Sequence, residues 1–142
     1  MILSRTSEYA LRAVLHLAET DSDDPTRVED IATALSVPRN YLSKILRTLT
    51  RARLLDSVRG PGGGFSLAAG WGTTTLLEVI KLFDPFDLKS VCFLGRPECR
   101  DDDPCPAHEH WGEIKARVIA FVTDTTLADL AGPGRSAALD PR

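Results

Sequence analysis

Residues 26–67 leave this chain few ways to fold. Thr26-Arg27-Val28-Glu29 fits a capping box, and Val28, Ile31, Ala32 and Leu35 then repeat at helical spacing. Ser36-Val37 makes a tight turn, and Pro38 suits the first turn of the next helix, which runs to about Ala52. In that helix Leu42, Ile45, Leu46 and Leu49 form one apolar stripe, with Arg39, Asn40, Ser43, Lys44 and Arg47 largely on the other side. Two short helices joined by a turn, the second polar and basic outward, form the helix-turn-helix pattern. Paired helices also occur in any all-α core, so the following residues matter. Leu54–Val58 and Phe65–Leu67 read as two strands around the tip Arg59-Gly60-Pro61-Gly62-Gly63-Gly64, a β-hairpin. A hairpin directly after a recognition helix is a wing. Its glycines let the tip follow a narrow groove, and Arg59 can enter where the potential is most negative. The tip lacks the terminal Lys-Ser/Thr of a nucleotide phosphate loop and opens no helix, which argues against that alternative.

The net charge of −3 would speak against a nucleic-acid partner if it were evenly spread. Residues 38–60 instead carry Arg39, Lys44, Arg47, Arg51, Arg53 and Arg59 against Asp56 alone. Local charge density governs phosphate contact more than the total does. A merely solvated basic surface is the competing explanation. The candidate DNA contacts are Arg39, Asn40, Tyr41, Ser43, Lys44 and Arg47 on the helix, and Arg59, Gly60, Gly62 and Gly63 on the wing.

All three cysteines lie in Cys92–His110, CFLGRPECRDDDPCPAHEH, at C-x6-C-x5-C, and His108 and His110 follow them at once. Gly95, Pro97, Pro104 and Pro106 block regular structure there. Thiolates favour zinc and iron–sulfur clusters. Zinc ribbons and fingers usually show tight C-x2-C pairs, absent here, and wide spacing on an irregular loop suits ligands wrapped around a cluster. A structural zinc, a disulfide with one free thiol, and cysteines that ligate nothing stay open.

The remaining segments complete a mainly α chain. Residues 5–20 read as a first helix capped by Ser4, with Leu11, Val14, Leu15 and Ala18 inward and Glu8 and Arg12 one turn apart as an ion pair. Asp21–Pro25 is a polar break, and Ala68–Thr75 a linker. Leu76–Phe83 reads as a helix ending before Pro85. A long helix from about Pro106 to about Leu130 places Trp111, Ile114, Val118, Phe121, Thr125 and Ala128 at alternating spacings of three and four, a pairing face that suggests a dimer. The expected layout is a DNA-binding domain at 1–72, the cysteine loop and dimerisation helices at 73–131, and a disordered tail at 132–142. No apolar run approaches a membrane span, and the N-terminus has no signal-peptide pattern. A cytoplasmic protein with reduced thiols is expected. No nucleophilic triad stands out, and His16 on an apolar helix does not suggest an enzyme.

Three stretches now carry a resemblance: SEYALRAVLHLA, YLSKILRTLTRARLLDSVRGPGGGFSLA, and the cysteine loop ending CPAHEHW. Over roughly residues 1–131 the chain resembles the small winged-helix bacterial transcription regulators, which include the iron–sulfur cluster regulator, the nitric-oxide-sensing repressor and the rhizobial iron regulator. The resemblance implies a homodimer whose long C-terminal helix crosses to its partner, and a two-iron or four-iron cluster on Cys92, Cys99 and Cys105. It offers two fourth ligands. One branch uses a histidine three residues after the last cysteine, here His108. Another uses an acidic residue from the first helix of the other subunit, here Glu8, which is the favoured candidate because it would tie sensor to DNA-binding domain. The first cysteine gap is x6 where the cluster regulator has x5. Asn40, Ser43 and Arg59 match its DNA-contacting positions, but Ser43 replaces an acidic base-reading residue, so the operator should differ. The expected function is cluster-switched regulation of inverted-repeat operator DNA, with no membrane partner. The alternatives are zinc or thiol oxidation as the switch, and a cluster carrier without DNA function.

Overall fold

A computed structural model describes residues 3–20 and 24–132. In order these form α1 (Arg5–Thr20), α2 (Val28–Leu35), α3 (Arg39–Arg51), β1 (Leu55–Val58), β2 (Gly64–Leu67), a 3-10 turn at Trp71–Thr73, α4 (Leu76–Ile80), α5 (His108–Asp124) and α6 (Leu127–Leu130). This is the mainly helical winged helix-turn-helix. The expected tail lies, beyond Gly132, outside the described residues, as do positions 21–23 of the polar break.

α1 starts as expected, with the Ser4 hydroxyl accepting from the Ser7 N–H at 3.2 Å. Its buried face differs, however. Ser7, Ala10, Ala13, Val14 and Leu17 turn inward, while Leu11, Leu15 and Ala18 stay half-buried. Small residues let α1 approach α3 and α4 closely, and the larger leucines are left at the margin.

The expected capping box at α2 does not form. Arg27 occupies the cap position without a side-chain bond. Thr26 is extended instead, exchanging two 2.8 Å backbone hydrogen bonds with Phe65 of the wing. Ser36 takes the left-handed conformation (φ 55°) that turns the chain into α3. Leu42, Ile45, Leu46 and Leu49 are all buried, as their spacing requires. Burying each contributes roughly 1.5–3 kcal/mol.

β1 and β2 pair antiparallel, from Leu55 opposite Leu67 to Val58 opposite Gly64. Gly64 is needed where the wing meets Thr26, because a Cβ there would stand 2.3 Å from the Thr26 carbonyl oxygen. α4 is shorter than its apolar run suggests, although Thr75 and Glu78 complete a capping box at its start.

The long C-terminal helix is also interrupted. α5 stops at Asp124, Thr125 is extended, and Thr126 forms a bridge with Thr75. Leu76 N–H donates to Thr125 O at 3.0 Å and Leu127 N–H to Thr74 O at 2.8 Å. Thr126 and Asp129 then make the capping box of α6. These bonds compensate the broken helical ladder, so Thr125 and Ala128 leave the α5 pairing face. One apolar core joins Ala10, Val14, Leu42 and Leu46 to Ile80, Val122 and Leu127, across the boundary expected near residue 72. Among the described residues no helix is long and apolar enough to cross a membrane.

Candidate nucleic-acid interface and metal centre

α3 buries its leucine stripe and turns its basic face outward. Arg39, Asn40, Lys44 and Arg47 are exposed, and Ser43 is half-buried. Arg39 is partly committed, since its Nε donates to Glu29 Oε1 at 2.9 Å. Tyr41 links elements: its hydroxyl bonds to that of Thr6, and its ring meets Tyr9 edge-on at 5.8 Å. Both partners lie on α1, so α1 and the first turn of the recognition helix are joined directly.

At the wing, Gly60 (φ 88°) and Gly62 (φ 76°) have open surroundings, leaving the tip free to approach a narrow surface. Gly63 is buried, and a Cβ there would stand 2.3 Å from Val58 O, so it is required by the turn itself. A cleft of about 630 Å³ between α3 and the wing is lined by Arg47, Arg51, Ser57 and Arg59. Arg51 had counted only as local charge in the sequence. The fold brings it beside Arg47 and Arg59 in one cleft, a concentration of positive charge that linear spacing does not reveal and that suits phosphate.

The cysteine loop joins α4 to α5. Cys92 and Cys105 are buried, Cys99 is partly so, and none is in a disulfide. Cys92 and Cys105 bring their sulfurs to 3.8 Å. Two thiolates on one tetrahedral metal, each about 2.3 Å from it, would stand about 3.8 Å apart. Backbone N–H groups point at the Cys92 sulfur, that of Arg96 foremost. With those of Leu94 and Gly95 and the Cys105 thiol, they outweigh burial and hold the Cys92 thiol below its ordinary value. Such N–H donors favour thiolate, the form that binds metal.

Cys99 pairs with a different partner. Its sulfur lies 3.4 Å from His108 Nδ1, while His108 Nε2 is 2.9 Å from Asp101 Oδ1. A carboxylate can only accept, so Nε2 donates to Asp101, and in the neutral imidazole Nδ1 then presents its lone pair toward Cys99. A histidine held from behind by a carboxylate is the usual arrangement of a metal-bound imidazole. The donors thus meet as two pairs, Cys92 with Cys105 and Cys99 with His108. Among the described residues no three His, Cys, Asp or Glu side chains gather into one closed site. His110 is exposed on α5. Glu8, half-buried on α1, makes no side-chain hydrogen bond to the cysteine loop among the described residues.

Neighbouring groups hold the loop in place. Trp111 Nε1 donates to Val91 O at 2.8 Å, and Lys115 Nζ donates to Lys89 O at 2.8 Å and Val91 O at 3.1 Å. Arg100 clasps Asp102 (2.9 and 2.6 Å), and Arg96 reaches Asp103 (3.2 Å). Asp102 and Asp103 thus serve the loop, while Asp101 serves His108. Ahead of the loop, Asp84 receives the Ser4 N–H (3.1 Å), the Ser4 hydroxyl (2.8 Å) and the Ser7 hydroxyl (2.5 Å). That carboxylate fastens the start of the loop segment to the positive end of α1.

A winged helix with an exposed basic recognition face and an apolar core behind it has the architecture of a DNA-binding protein. Residues 3–133 match the Rrf2 family, described as iron-dependent transcriptional regulators, and the chain belongs to that family. It is 37% identical over 132 residues to a provisionally named HTH-type transcriptional regulator of Aquifex aeolicus (strain VF5), covering 92% of this chain and 91% of the relative. It is 32% identical over 130 residues to the HTH-type transcriptional regulator IscR of Vibrio atlanticus (strain LGP32), covering 92% of this chain and 75% of the relative. Among solved structures it is similar to CymR (YrzC), named the global cysteine regulator of B. subtilis. The TM-score is 0.74 at 27% identity, over 92% of this chain and 96% of that one.

Proposed function

We propose that this chain is a homodimeric repressor or dual regulator whose operator affinity is switched by an iron–sulfur cluster on Cys92, Cys99, Cys105 and His108. The observation that carries this reading is the arrangement of His108, with Nδ1 toward the Cys99 sulfur and Nε2 on Asp101. The Cys92–Cys105 spacing fits two ligands of one metal equally well. Similarity to IscR supports the same donor chemistry. His108 is favoured over Glu8 because it already faces a cysteine within one protomer, whereas Glu8 would have to come from the partner. A bound cluster would supply reversible electron uptake and reactivity toward oxidants or nitric oxide.

The chain's own contacts give the switch its route. Losing the ligand geometry frees the loop that Trp111 and Lys115 clamp at Val91. Asp84 joins the start of that segment to Ser4 and Ser7 of α1, and Thr6 and Tyr9 of α1 hold Tyr41 of α3. A change in the loop therefore biases the setting of the recognition helix. The shift is limited by the difference in operator affinity between the two arrangements.

A thiol switch is the second reading. The 3.8 Å approach of two buried sulfurs, one with a lowered pKa, also suits closure of a Cys92–Cys105 disulfide. Similarity to CymR supports keeping it in view. Anaerobic purification with an absorption spectrum and iron and sulfide analysis separates the two. The cluster reading expects a coloured protein containing both iron and sulfide, lost in Cys92→Ala, Cys99→Ala and Cys105→Ala. Colourless protein that forms a Cys92–Cys105 bond under oxidant would favour the thiol switch. Bound zinc without sulfide would favour a zinc site.

A further inference from the structure

Lys115 is a buried cation without a matching anion among its hydrogen-bond partners. It is only 6% exposed, and its Nζ bonds to the Lys89 and Val91 carbonyl oxygens. Asp87 senses its charge, but that carboxylate accepts from the Ser90 hydroxyl at 2.6 Å. Two carbonyl dipoles and a carboxylate already held by Ser90 compensate a buried ammonium only in part. An apolar side chain would cover α5 at this position without that penalty. Lys115 therefore answers a need for positive charge.

Its position indicates where that charge acts. Lys115 lines a cavity of about 550 Å³ together with Lys89, Cys99, Asp101, His108 and Asp124. One of its two acceptors, Val91, immediately precedes Cys92 in the chain. The ammonium thus lines the same cavity as the Cys99–His108 pair and is bonded to the residue just before Cys92. Three thiolates outweigh the positive charge of an iron–sulfide core, so the assembled centre is an anion, and it becomes more negative with each electron accepted. A fixed cation nearby favours the more negative form, since the potential of such a centre follows its local charge.

We propose that Lys115 is the counter-charge of the cluster, a positioning residue that raises its reduction potential while anchoring the loop at Val91. This inference rests on the cluster assignment above. The structural alternative is that Lys115 only ties down two carbonyls, which any donor of similar length would do.

The test is an anaerobic potentiometric titration of the full chain, with dithionite as reductant and mediator dyes. Wild type is compared with Lys115→Arg, which keeps the charge, and Lys115→Gln, which keeps N–H donors but loses it. Thermal melts of the metal-free proteins report the fold independently. The expected result is a midpoint potential moved to lower values in Lys115→Gln and held near wild type in Lys115→Arg. If Lys115→Gln assembles no cluster while its metal-free melt is unchanged and Lys115→Arg still assembles one, the charge role is equally supported. Should Lys115→Gln fail to fold, Lys115→Met replaces it in the same comparison. An unchanged potential in the neutral variant, or equal shifts or equal cluster loss in the neutral and Arg variants, would overturn the proposal. Wild-type protein without iron and sulfide overturns the cluster assignment itself, a failure distinct from a loaded wild type whose variants share its potential.

Discussion

His108 is fixed by its two neighbours, a thiol on one ring nitrogen and the Asp101 carboxylate on the other. His108→Ala should therefore leave a cluster that assembles in lower yield and decays faster in air, measured by its visible absorption. Glu8→Ala should behave like wild type in the same assay. The reverse order would make the partner's first helix the source of the fourth ligand. On the recognition face, exposed Arg47 lies in the cleft between α3 and the wing, where it is proposed to meet phosphate. Arg47→Ala should weaken binding to all sequences alike and lower the salt slope by about one. Asn40→Ala should instead alter preference among operator variants, by roughly 1–3 kcal/mol for a bidentate contact. Binding assays over a salt series on several operators distinguish the two effects. The cysteines, His108 and the basic helix face were legible because each is a residue type whose chemistry announces itself. Lys115 and Arg51 were not, since only the fold brings a lysine under the loop and a third arginine to the wing.

Asp84 shows what a single contact does between elements. Burial raises its pKa, but hydrogen bonds from the Ser7 hydroxyl and from Ser4 more than offset this and leave it lowered. A lowered carboxylate stabilises the folded state above the unfolded pKa of about 3.9, and this contribution is lost as pH falls through the folded value. Asp84→Asn should thus melt lower than wild type at pH 7, by about 1–3 kcal/mol of stability. The gap should narrow as the pH drops below about 4. Thermal melts across pH 7 to pH 3 check this, and a gap independent of pH would contradict the role. Ser4 was readable as a helix cap, but its partner stands 80 positions later, beyond any local pattern. The α3 stripe was legible because large apolar residues face a polar side. The α1 core was misjudged because Ala10 and Ala13 carry little hydrophobic signal. Thr26 looked like a helix cap until the wing claimed its backbone. The break at Thr125 did have a local trace, Thr126-x-x-Asp129, which is itself a capping pattern.

For the whole molecule, the outward side of α5 is unusually apolar, with Ile114 52% and Phe121 54% exposed and Trp111 and Val118 half-buried. Such a patch is a mark of an association surface, and a second copy of the chain is its proposed cover. Phe121→Glu should shift the protein to monomers in analytical ultracentrifugation while the metal-free fold is retained. It should also lose operator affinity, because the inverted repeat expected of a two-fold dimer would need two recognition helices held one turn or a multiple apart. A Phe121→Glu protein that stays dimeric would place the interface elsewhere. Beyond oligomeric state, a cluster switch requires the cysteine loop to influence α3 through Asp84, α1 and Tyr41. The most direct measurement is the operator affinity of one anaerobic preparation, titrated by fluorescence anisotropy before and after its cluster is removed by chelator. At fixed salt the two Kd values should differ by about 5-fold or more, the usual span of an allosteric coupling, and the difference should vanish in Cys92→Ala. Equal affinities with and without the cluster, in a protein that carries one, would contradict the switch.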